Sequence, residues 1–143
     1  MLVIDDFNNS QVRLSGLDAL DTAVVAGNYD GVVNGEVIVV NGTALEALSR
    51  SGALRRLGTL AAVPSWTGAG TVAVKPDLTQ WMYTIAGDNL TSRIHVGSAA
   101  GDRVVATIAS PAGYDFYQAF AWNASGVYFS RQATGLGGVG PFL

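Results

Sequence analysis

Apolar residues along the chain fall in short runs, many alternating with polar ones, and the runs are broken by turns rich in Gly, Asn and Asp. The runs favour Val, Ile, Thr, Tyr and Trp, residues that fit a pleated, half-buried surface. Strands are predicted near Leu2–Ile4, Gln11–Leu14, Thr22–Ala26, Gly31–Val33, Glu36–Val40, Ala53–Leu60, Thr71–Val74, Gln80–Ile85, Arg93–Gly97, Arg103–Ala109, Tyr117–Trp122 and Val127–Arg131. Between them sit Asp30-Gly31, Asn34-Gly35, Asn41-Gly42, Gly87-Asp88, Gly101-Asp102 and Ser125-Gly126. Such pairs supply the positive φ that tight hairpin turns require. Thr43-Ala44-Leu45-Glu46 fits a helix capping box, but it fits equally a strand between the Asn41-Gly42 and Ser51-Gly52 turns.

An internal repeat favours the strand. Lys75-Pro76-Asp77 leads to Trp81-Met82-Tyr83, and Trp122-Asn123-Ala124-Ser125-Gly126 leads to Val127-Tyr128-Phe129. Tyr83 and Tyr128 are 45 residues apart, and the same step back from Tyr83 reaches Ile38 in Glu36–Val40. Each of these strands is followed by a turn and further strands, and four strands in about 45 residues make the unit of a β-propeller blade. The expected fold is therefore all-β, with blades of four antiparallel strands, about three of them in this chain; a β-sandwich is the alternative. The units fall near 20–62, 63–110 and 111–143, with N-terminal strands over 1–19.

The segment Trp122–Ser130 resembles the "W-S-P-D-G-x-x-Y-F-S" turn of TolB-like, WD40-like propellers, and Lys75-Pro76-Asp77 resembles the same turn with Pro and Asp retained. Gly35–Leu60 is similar to the strand–turn–strand pattern of NHL propellers. Ser125-Gly126 stands where Asp-Gly is expected, Leu78 follows Asp77 where Gly is expected, and the W-D and Gly-His of true WD40 repeats are absent. The resemblance implies an architecture, not an activity. Rings of this kind have about 4–8 blades, so three blades imply a piece of a longer propeller or a homodimer whose two copies close a six-bladed ring.

Composition narrows the function classes. Charged residues are 13% of the 143 and Gly is 18 of them, which excludes a charged disordered tail or a coiled coil. A net charge of -3 gives no electrostatic footprint for nucleic acid. Cysteine is absent, removing disulfides, thiolate nucleophiles and zinc-thiolate sites. The apolar runs are far short of the ~18 residues of a membrane span. Asp5-Asp6 stands where a signal peptide would be basic, so the chain is expected to be cytoplasmic, or periplasmic or extracellular if cut from a longer secreted bacterial chain.

Candidate chemistry is sparse. His95 is the only histidine and lacks the neighbours of a metal site; strand alternation places it with Arg93 on a half-exposed face. Asp88-Asn89 lacks the EF-hand spacing and reads as a turn. Asp5-Asp6, Asp18 and Asp21 read as solvated loop acids, and no G-x-S-x-G elbow is present. Gly135-Leu136-Gly137-Gly138 has no phosphate-loop Lys, and the four Asn-x-Ser/Thr sequons read as turns. Trp81, Tyr83, Tyr128 and Phe129 are expected in the core. Trp66, Tyr114, Asp115 and Phe116 lie in or beside inter-blade linkers, and on a propeller they would share one rim with Asp88 and Asn89. Aromatics flanked by polar loops are the usual anchors of binding sites. The expected function is a non-catalytic binding or scaffolding module presenting that rim to a protein or glycan, without metal or cofactor. The alternatives are an accessory propeller of a larger hydrolase and a catalytic propeller of lactonase, lyase or glycosidase type.

Overall fold

Period-two alternation with positive-φ turns produces an all-β chain in the computed structural model, which describes residues 2–6, 9–15, 21–64, 71–87, 91–109 and 115–133. The strands are β1 (Leu2–Asp6), β2 (Gln11–Ser15), β3 (Asp21–Ala26), β4 (Asn28–Val33), β5 (Glu36–Asn41), β6 (Ala44–Leu48), β7 (Leu54–Thr59), β8 (Val72–Val74), β9 (Gln80–Gly87), β10 (Thr91–Ser98), β11 (Gly101–Ala109), β12 (Asp115–Asn123) and β13 (Gly126–Ala133). They form four antiparallel sheets in chain order: β1-β2-β3, β4-β5-β6-β7, β8-β9-β10-β11 and β12-β13. No sheet closes on itself among the described residues. Thr43–Glu46 enters a strand, not a helix. β3 pairs with β2, so the strand expected to open the first 45-residue unit belongs to the N-terminal sheet.

Turn chemistry explains the registers. Asn34 (φ 49°) and Gly35 (φ 78°) form a two-residue hairpin loop with both central residues at positive φ, between the paired Val33 and Glu36. At the matching β8–β9 turn, Leu78 takes φ 60° in place of the expected glycine. Asp77 pins that turn by accepting the Thr79 N–H at 3.0 Å and by pairing with Lys75 at 2.8 Å, and these contacts, Lys75 first, lower its carboxyl to about 2. At β12–β13, Asn123 Oδ1 accepts the Ser125 N–H at 2.8 Å.

Asp30-Gly31, expected as a turn, lies inside β4. The register passes from Tyr29↔Val39 to Gly31↔Ile38, so Asp30 is the extra residue of a β-bulge. Phe120 holds the same place in β12. Bulges also recur on the last strand of three sheets, at Thr22 in β3, Leu57 in β7 and Val105 in β11. Ile38, Tyr83 and Tyr128 face Gly31, Val72 and Ala121 on the first strands of their sheets, so the 45-residue step is one of equivalent positions.

Successive sheets pack face to face. On β5 the two faces serve different clusters. Val37 and Val39 join Val12, Leu14 and Leu48, while Ile38 and Val40 join Leu45, Ala47, Leu60, Val72, Val74, Trp81 and Tyr83. The Trp81 indole fills the seam between the two four-stranded sheets. A Cβ on Gly58 of β7 would lie 2.2 Å from the ring, and one on Gly97 of β10 would lie 2.0 Å from its Nε1. Only hydrogen at those two positions leaves room for it. Tyr128 is 44% exposed, not core as expected, because no further sheet covers β13 among the described residues.

Candidate functional site

Two polar arrangements are built into the seams. The first joins β9, β10 and β11 to the segment after β7. Tyr83 donates its hydroxyl to Asp102 Oδ2 at 2.6 Å and accepts the Ala61 N–H at 2.6 Å. His95 Nδ1 lies 2.7 Å from Asp102 Oδ1. A carboxylate only accepts, which places the ring proton on Nδ1. The Tyr83 and His95 rings stack with centroids 5.2 Å apart. Burial, and then the Asp102 acceptor, raise the Tyr83 phenol well above its ordinary value.

His95 is 7% exposed, not half-exposed as expected. It does share a face with Arg93, but that face carries Tyr83 and Ile85 and turns toward the preceding sheet. The Tyr83 hydroxyl is engaged both as donor and as acceptor, and it is held protonated. The network ties the seam together and offers no free nucleophile. Among the described residues no three His, Asp or Glu side chains gather as a metal site would require.

The second arrangement is a cleft of about 400 Å3 where β4, β8 and β12 converge. These are the first strands of three successive sheets, so three separate layers supply its walls. Val33, Ile38, Val72, Val74 and Pro76 give apolar surface, Trp122 gives an aromatic wall and Asp30 a carboxylate. Asp30 is 5% exposed. Its Oδ1 accepts the Thr71 N–H at 2.6 Å and the Val72 N–H at 3.1 Å, and its Oδ2 lies 3.2 Å from the Val72 nitrogen. The side chain at the β4 bulge thus holds the first residues of the next sheet. Burial pushes its carboxyl up to about 7, and the donors from Val72 and Thr71 restrain the rise.

Of the residues expected on the rim, Trp66, Asp88, Asn89 and Tyr114 lie outside the described residues. Asp115 and Phe116 open β12, and their side chains also lie outside the described set. Reasoning from the sequence missed Asp30 as a site residue, because Asp-Gly is the strongest local turn signal. On sequence alone, Trp122 is expected at the end of a strand and the start of the repeated turn, not in a site. The chain matches no protein-family model, and no curated protein matches it in sequence.

Proposed function

We propose that the chain is a run of β-propeller blades, resembling TolB-like, WD40-like repeats, that acts as a non-catalytic binding or scaffolding module. In this reading it presents a propeller face to a protein or glycan, through Trp66, Asp88, Asn89, Tyr114, Asp115 and Phe116 on one rim. The supporting observation is the convergence of β4, β8 and β12 on one cleft, as the innermost strands of blades around an axis would converge. The recurrence of a bulge on the last strand at Thr22, Leu57 and Val105 agrees with it, and on this reading β1-β2-β3 are the second to fourth strands of a blade.

On that alignment the N-terminal sheet holds no first strand among the described residues, while β12-β13 holds a first and a second. Two copies related by a two-fold axis would bring these incomplete sheets together at two joins and close six blades, each joined blade holding five strands, two from β12-β13 of one copy and three from β1-β2-β3 of the other. Burial of apolar surface at about 25 cal/mol per Å2 drives the closure, against an association cost of about 4–15 kcal/mol. Sedimentation equilibrium tests this: a species of twice 14.8 kDa at micromolar concentration is expected. A stable monomer overturns the two-copy ring.

A further inference from the structure

We propose that the cleft between β4, β8 and β12 binds an organic cation, an alkylammonium group on a short apolar chain, with Asp30 as its counter-charge and Trp122 as an aromatic wall. All three strands belong to one chain, so the proposal holds whether or not copies close a ring.

The case begins with charge. Asp30 is an acid at 5% exposure, and burying an ionised carboxylate is costly unless it is paired. Its partners are the Thr71 and Val72 backbone N–H groups and the Thr71 side chain, all neutral. They aim and hold the carboxylate but supply no countercharge.

Among the described side chains, the charged groups on the surrounding elements are otherwise engaged. Glu36 at the start of β5 pairs with Arg55 at 2.7 Å, and Lys75 after β8 pairs with Asp77 at 2.8 Å. The side chains of Asp115 on β12 and Arg131 on β13 lie outside the described residues. Burial is what pushes the Asp30 carboxyl up to about 7. An approaching cation reverses that effect, because an opposite charge within about 4–6 Å favours the ionised form.

Shape and lining agree. The cleft, at about 400 Å3, is of small-ligand size. Its walls are apolar at Val33, Ile38, Val74 and Pro76, which suits an alkyl chain and disfavours a strongly hydrated inorganic ion. Trp122 adds an aromatic surface, and indole is the best partner for cation–π contact. An anion would meet the Asp30 charge. A neutral alcohol would fill the space and leave the carboxylate uncompensated.

The experiment measures the melting temperature and heat of binding of the whole chain with n-butylammonium chloride at pH 8. Sodium chloride at equal ionic strength and n-butanol at equal concentration are the controls. The expected result is a saturable stabilisation by butylammonium that neither control reproduces. Affinity should fall more than tenfold in Asp30→Asn, which keeps the shape and one acceptor oxygen, and several-fold in Trp122→Leu. It should also fall in the wild type as the pH drops from 8 to 5, as Asp30 takes up a proton. Equal responses to butylammonium and butanol would make the cleft merely apolar and overturn the proposal. So would full affinity in Asp30→Asn, or the absence of saturable binding. The comparison of butylammonium with butanol uses the wild type alone, so it decides the matter even if a variant fails to fold.

Discussion

The two four-stranded sheets share a topology and differ in what they bury. In β4–β7 the second strand is aliphatic, Val37 to Val40, and both of its faces are covered because a sheet lies on each side. In β8–β11 the second strand sends Trp81 and Tyr83 to the same seam, and a hydrogen-bonded acid and imidazole stand behind the tyrosine. The aliphatic strand β5 packs by area, which is non-directional. The aromatic layer is held by area plus a geometry that tolerates no vacancy. Equivalent places in a repeat can thus be stabilised by different physics.

That contrast can be broken by mutation. Trp81→Ala empties the seam and should cost about 3–5 kcal/mol in urea denaturation, as for a large buried aromatic. A loss below about 1 kcal/mol would mean that the sheets do not pack there. The pH dependence contributed by Asp30 comes next. Its folded-state carboxyl titrates near 7 and the unfolded one near 3.8, so between those values the folded protein keeps a proton that the unfolded chain has released. Stability from this group is therefore full below about pH 4 and is lost as pH rises toward 7, by up to about 4 kcal/mol at ~1.36 kcal/mol per unit. The difference in stability between wild type and Asp30→Asn, followed from pH 4 to 8, isolates the effect; a flat difference would place Asp30 in water.

Gly97→Ala forces the Trp81 ring out of its place and should cost about 1–3 kcal/mol, with a matching loss for Gly58→Ala. The finest comparison sets Tyr83→Phe against Ile38→Leu. The first keeps the ring and leaves Asp102 Oδ2 and the Ala61 N–H without the hydroxyl, at about 1–3 kcal/mol. The second nearly conserves volume and should cost less than about 1.5 kcal/mol. Equal losses in chemical denaturation would erase the distinction between the layers.

The strands were legible because alternation and turn residues are local signals. The predicted spans at Glu36–Val40 and Gln80–Ile85 fall within β5 and β9, and the 45-residue step correctly linked Ile38, Tyr83 and Tyr128. What failed depends on partners. Asp30-Gly31 is a turn signal by itself and a bulge only when β5 runs opposite it. Alternation put His95 beside Arg93, but which face is covered is decided by the stacking order of sheets. The Tyr83–Asp102 bond spans 19 residues and requires the three-strand register of β9, β10 and β11. No local pattern encodes it.

The indole wedged between Gly58 and Gly97 has an optical consequence. Trp81 is 1% exposed, and its Nε1 finds no acceptor among the described residues. An indole excited in so dry a setting meets few mobile dipoles, so its emission lies toward the blue, whereas water reaching the ring would move it red. If the seam parts before the sheets melt, the colour of Trp81 changes while the backbone circular dichroism still reads as strand. A variant that retains only this one of the three tryptophans would thus carry its own gauge of whether adjacent layers are in register.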